Sequence, residues 1–117
     1  MNQDFDVQLL WVILNETEKL NDLLVSLEEH GITGGTIIDS TGMAKLLYHN
    51  KKDLPFFGSL YMLMNDGRQI NKTILMVLNK EKVETAKQIV HDITGGMDHA
   101  GSGIMFTIPV LSVEGLR

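Results

Sequence analysis

The chain has 117 residues, of which 44% are hydrophobic and 21% charged. This is the length and balance of one globular domain with one core, and it excludes wholesale disorder. Ten Lys and Arg against fifteen Asp and Glu give a net charge of −5, the wrong sign for general nucleic-acid binding. The absence of cysteine removes disulfides, thiolate metal sites and cysteine nucleophiles together.

No apolar run approaches the ~18 residues of a membrane-crossing helix. The start, Met1-Asn2-Gln3-Asp4, is acidic and lacks the pattern of a secretory leader. Residues 1–117 are therefore expected to form a single domain that is cytoplasmic, binds no nucleic acid and inserts in no membrane.

The first element is the apolar stretch Val7-Gln8-Leu9-Leu10-Trp11-Val12-Ile13-Leu14, which predicts a strand buried on both faces. Asn15 precedes Glu18 by three residues, the spacing of a capping box. Leu20, Leu23, Leu24 and Leu27 then mark one stripe of a helix, and Gly31 ends it.

A second strand is predicted over Thr36-Ile37-Ile38-Asp39, entered through Gly34-Gly35 and left through Gly42. A third follows at Thr73-Ile74-Leu75-Met76-Val77-Leu78. Asn79 caps a second helix whose inward positions are Val83, Ala86, Ile89, Val90 and Ile93, and Gly95-Gly96 closes it. The last strand is Ile104-Met105-Phe106-Thr107-Ile108-Pro109-Val110. Proline has no N–H to give to a ladder, so Pro109 predicts an edge or a bulge there.

Two strand–helix–strand halves in this order predict an α+β, ferredoxin-like βαββαβ sandwich, with an antiparallel four-stranded sheet and both helices on one face. The other face would be bare and apolar, which predicts association with further copies. The connection between the second and third strands spans 43–72, far beyond the ~4–6 residues usual for a loop. It carries Leu46, Leu47, Tyr48, Leu54, Phe56, Phe57 and Tyr61, too apolar for a solvated linker. Part of it, 59–65, fits a short helix, while Asp66-Gly67 fits a hairpin turn.

Two segments carry a family resemblance. His30-Gly31-Ile32-Thr33-Gly34-Gly35-Thr36-Ile37 resembles the Gly-Ile-Thr-Gly-Met-Thr-Val turn of the PII signal-transduction proteins. Gly101-Ser102-Gly103-Ile104-Met105-Phe106 resembles that family's Gly-Asp-Gly-Lys-Ile-Phe segment. Gly42 falls where the family opens its T-loop. The resemblance implies a homotrimer that senses a small molecule, an adenine nucleotide such as ATP or ADP, in clefts between subunits. Regulation of nitrogen and carbon metabolism and signalling through a T-loop to a transporter or enzyme are implied with it.

Mapped residue by residue, the implied ligand-binding positions are Gly34, Gly35, Thr36, Gly42, Gly101, Ser102, Gly103 and Arg117. Glycines suit such a cleft because they let backbone N–H groups approach an anion. Two cations of the family are missing: its lysine after the glycine turn is Ile104 here, and its first C-terminal arginine is Gly115. Each lost charge-assisted hydrogen bond is worth about 1.5–3 kcal/mol. Phe56 and Phe57 are candidates for docking a protein partner or for covering the chain's own sheet.

No catalytic arrangement is spelled: no nucleophile elbow surrounds Ser40 or Ser102, and the reading is of a non-enzyme. His91-Asp92 and Asp98-His99 lack ligand spacing and read as solvated surface. The alternatives are a structural or metal-responsive trimer like the CutA proteins, or a small enzyme using the same cleft.

Overall fold

The structure, a computed structural model, describes residues 5–43, 47, 70–99 and 101–116. In chain order the elements are β1 (Val7–Leu14), a 3-10 turn (Thr17–Lys19), α1 (Leu20–Glu29), β2 (Thr36–Ser40), β3 (Asn71–Asn79), α2 (Lys80–Thr94) and β4 (Gly103–Pro109). The four strands form one sheet in the order β2-β3-β1-β4, and every neighbouring pair is antiparallel. With two helices this is the ferredoxin-like βαββαβ fold. Among the described residues no helix is long and apolar enough to cross a membrane.

The two-residue period of a strand sorts the sheet into two faces. Leu10, Val12 and Leu14 of β1 lie in register with Met76, Ile74 and Lys72 of β3. The apolar members of this set are sealed beneath the helices with Leu23 and Leu27 of α1 and Val83, Ala86, Ile89 and Val90 of α2. Leu20, Leu24 and Ile93 complete the two predicted helical stripes as half-buried neighbours.

Leu9, Trp11 and Ile13 point the other way, in register with Ile108, Phe106 and Ile104 of β4. This open face keeps Ile104 52% exposed and Ile38 46% exposed. The prediction that β1 is buried on both faces is therefore corrected: in one chain it alternates, sealed on the helix side and half-covered on the other.

The capping box also fails to form. Residues 17–19 make a tight 3-10 turn, and neither that turn nor α1 has a side-chain N-cap. Asn15 is drawn away instead, its Oδ1 accepting from Asn71 Nδ2 at 3.2 Å. Asn79 does cap as predicted, accepting from the Lys82 amide at 3.0 Å. Gly31 and Gly95 end the helices with φ of +78° and +79°, a left-handed backbone that glycine adopts without steric cost.

β2 extends one residue further than predicted, to Ser40, and β3 begins two residues earlier, at Asn71. β4 starts at Gly103 and stops at Pro109, with Val110 bonded beyond it to the Val7 carbonyl at 3.1 Å. Pro109 sits on an outer strand, as its missing N–H requires. The helix expected at 59–65 and the alternative turn at Asp66-Gly67 lie outside the described residues, as do Phe56, Phe57 and Arg117.

Candidate functional site: a pocket between the glycine turn and the C-terminal tail

After β4 the chain runs across one end of the sheet. Val110 is tied to the start of β1, and Gly115 and Leu116 reach the end of β3. There they face the turn that leads from α1 to β2. Between tail and turn is a pocket of about 350 Å³, with Gly31, Thr33 and Gly34 on one side and Gly115 and Leu116 on the other. Val77, Leu78 and Ile32 give it an apolar floor, and Lys82 of α2 stands at its rim.

Lys82 Nζ donates to the Gly31 carbonyl at 2.8 Å. An ammonium carries three donors, so one such bond leaves capacity for an acceptor entering the pocket. The position follows from local sequence: Asn79 caps α2, which places Lys82 in the first turn, facing the α1–β2 turn. The arrangement offers an apolar surface, one cation and exposed backbone at Gly34, a combination suited to a flat ring bearing a negative group.

Gly115 has φ +90° and, among the described residues, nothing within 4 Å of where a Cβ would be. Space would admit a side chain there, but the backbone conformation favours glycine over the arginine that the family resemblance expects. Ile104, at the family's lysine position, lies on the open face in register with Ile13.

Gly35 stands apart from this pocket. It lines a second, mainly apolar one of about 300 Å³ between α1 and β2, with Leu24, Leu27, Ile37 and Met76. Thr36 opens β2 opposite Leu75. Gly42 lies beyond the other end of β2, close to the Asn71 side chain.

The second glycine turn is elsewhere in the chain. It enters β4, the outer strand opposite β2, and Gly103 pairs with the last residue of β1. Three strand spacings and an offset of three residues separate Thr36 from Gly103 by about 17 Å. One chain therefore does not bring the two turns together.

Ser102 is fully buried, and both its hydroxyl (2.7 Å) and its amide (3.3 Å) donate to the His99 carbonyl. The parts of this turn left for a ligand are the glycines beside it. His99 Nε2 lies 3.6 Å from Glu16 Oε1, and Glu16 also pairs with Lys19 at 3.0 Å. Among the described residues no group of three His, Cys, Asp or Glu could hold a metal ion.

Two polar features were not anticipated from the sequence, although Asn15 and Ser40 were each considered there in another role. One is Lys82, whose signal was its place three residues after the Asn79 cap. The other is Asn15, Ser40, Asn71 and Thr73, which bond to one another at the end of the open face. Their partners lie 31 to 56 positions apart in the chain, and no local pattern announces them.

No protein-family model and no curated protein matches the chain. The likeness is structural. The fold is similar to that of Arabidopsis thaliana PII in its citrate-bound crystal structure, with a TM-score of 0.60 and 17% sequence identity. The match covers 92% of this chain and 79% of the PII chain. The body thus has a PII-like, ferredoxin-like fold.

Proposed function

We propose that the protein is a PII-like regulator: a cytoplasmic homotrimer that binds a small anionic effector between subunits and signals its presence to a protein target. The observation that carries this reading is the pocket framed by Gly34 and the tail residues just before Arg117, set in a body with the PII fold. The turn at 101–103 completes the site from the neighbouring subunit, since about 17 Å separates the two turns in one chain. The 43–72 connection, with Phe56 and Phe57, carries the signal to a transporter or enzyme. The ligand leaves unchanged, and no catalytic step is involved.

The effector class is an adenine nucleotide, ATP or ADP. Lys82 supplies one cation and Arg117 a second, in place of those replaced by Ile104 and Gly115. The structural neighbour is bound to citrate, also a small polyanion. Titration calorimetry of the purified protein with ATP, ADP, AMP and citrate tests the reading. Saturable heat with one ligand per chain, on a species of trimer mass, supports it. No heat and no thermal shift at millimolar concentrations of all four overturns it.

A further inference from the structure

The two strands that flank the long connection end and begin on a closed hydrogen-bond relay. Ser40, the last residue of β2, donates its hydroxyl to Asn71 Oδ1, and Asn71 is the first residue of β3. Thr73 Oγ1 lies 2.7 Å from the same Ser40 oxygen. Because the Ser40 proton goes to Asn71, the Thr73 hydroxyl is the donor in that second bond.

Asn71 passes the relay on. Its Nδ2 donates to Asn15 Oδ1 at 3.2 Å, and the Asn15 amide donates to the Ser102 carbonyl at 3.3 Å. Ser102 closes the path onto His99 within the glycine turn. Asn71 is 9% exposed, Thr73 6% and Ser102 0%, while Ser40 and Asn15 are half-buried, so the bonds are partly shielded from water. A polar chain thus crosses three strands at one end of an otherwise apolar face.

The donors and acceptors run in one direction from Thr73 through Ser40 and Asn71 to Asn15, with the Ser40 hydroxyl also 3.5 Å from the Asn71 carbonyl. A shift at one bond bears on its neighbours, and a polar atom left unpaired at the buried Asn71 or Thr73 costs about 1–3 kcal/mol. A displacement of the turn at 101–103 therefore acts on Asn15, and through it on both roots of the connection. The link is direct contact through bonded atoms.

We propose that Asn15 and Asn71 are positioning residues that couple the glycine turn at 101–103 to the two roots of the 43–72 connection. This deepens the proposed function by naming how occupancy of the site would be read at the connection, and its use rests on that reading. The coupling itself is a property of the unliganded chain and is testable without any ligand.

The perturbation is Gly101→Ala, since Gly101 has φ +82° and an alanine strains that backbone. The readout is amide hydrogen exchange at residues 40–42 and 71–73, with the Asn71 side-chain NH2 signal followed by NMR. We expect Gly101→Ala to change exchange at both roots by about threefold or more. The change should persist in an Asn15→Asp background, which keeps the acceptor, and vanish in Asn15→Leu, which removes it.

An equal response in Asn15→Leu, or no response with Asn15 intact, overturns the proposal. Should Asn15→Leu not fold, Ser40→Ala replaces it. The response must then survive at Asn71 and disappear at 40–42, and its survival at both is equally fatal. Calorimetry without nucleotide heat would defeat the effector reading and leave this result standing.

Discussion

Trp11 of β1 and Phe106 of β4 stack on the open face, with ring centroids 5.5 Å apart and planes inclined by 20°. The indole Nε1–H is shielded from solvent and has no acceptor among the described residues. Trp11 thus combines a large apolar contact with an unmet donor. Trp11→Ala is expected to lower stability by about 3 kcal/mol, through lost area and lost stacking. Trp11→Phe should cost less than about 1 kcal/mol, because removing the orphan donor offsets the smaller ring. Urea unfolding of both variants, followed by circular dichroism, checks the order. Equal losses would show that the unmet donor has no weight.

Gly103 and Gly95 both have positive φ, but they differ in their surroundings. A Cβ on Gly103 would collide with the Ile13 carbonyl oxygen, a backbone atom held in the β1–β4 ladder. A Cβ on Gly95 meets nothing within 4 Å. Gly95→Ala should therefore cost only the left-handed strain of about 1–2 kcal/mol. Gly103→Ala should cost well over 3 kcal/mol or prevent folding. Denaturation midpoints and soluble yield read this, and similar midpoints for the two would refute it.

Asn79 holds the first turn of α2 through one bond to the Lys82 amide. Asn79→Ala should lower stability by about 1 kcal/mol, and Asn79→Asp should restore most of it. Thermal melts in low salt give the cleanest comparison.

Lys82→Ala separates binding from folding. Its side chain is exposed and makes one bond to the Gly31 carbonyl, so the melting temperature should move by no more than a few degrees. Under the proposed function, loss of the cation raises the dissociation constant for ATP about tenfold, equivalent to about 1.4 kcal/mol. Lys87→Ala, on the same helix but outside the pocket, serves as the control. Matching affinities for the two variants would remove Lys82 from the site.

The body was legible because its elements follow strict periods. The stripes Leu20-Leu23-Leu24-Leu27 and Val83-Ala86-Ile89-Val90-Ile93 allow no other face, and the glycines at 31 and 95 stop both helices where the backbone turns left-handed. Pro109 was expected at an edge or a bulge because it has no N–H to give, and it lies on an outer strand. Asn15 was misread because local spacing favoured a cap on Glu18, whereas its partner, Asn71, is 56 residues away.

The candidate site was legible in part. Of the glycines expected at a ligand cleft, Gly34 lines this pocket and Gly35 the neighbouring one. The crossing of the tail over the end of the sheet, which assembles the pocket, depends on where β4 stops and has no local signature. Lys82 stands at the pocket because the Asn79 cap sets it in the first turn of α2.

The pairing of Ser40 with Asn71 has a further consequence. The two residues that bound the stretch 41–70 in sequence are paired on neighbouring strands and joined by a side-chain bond. Closing such a bridged gap depends only logarithmically on the length of the detour, about 0.6 kcal/mol per doubling. A change in the number of residues between those two anchor points is therefore expected to alter the cost of joining them by only that small amount.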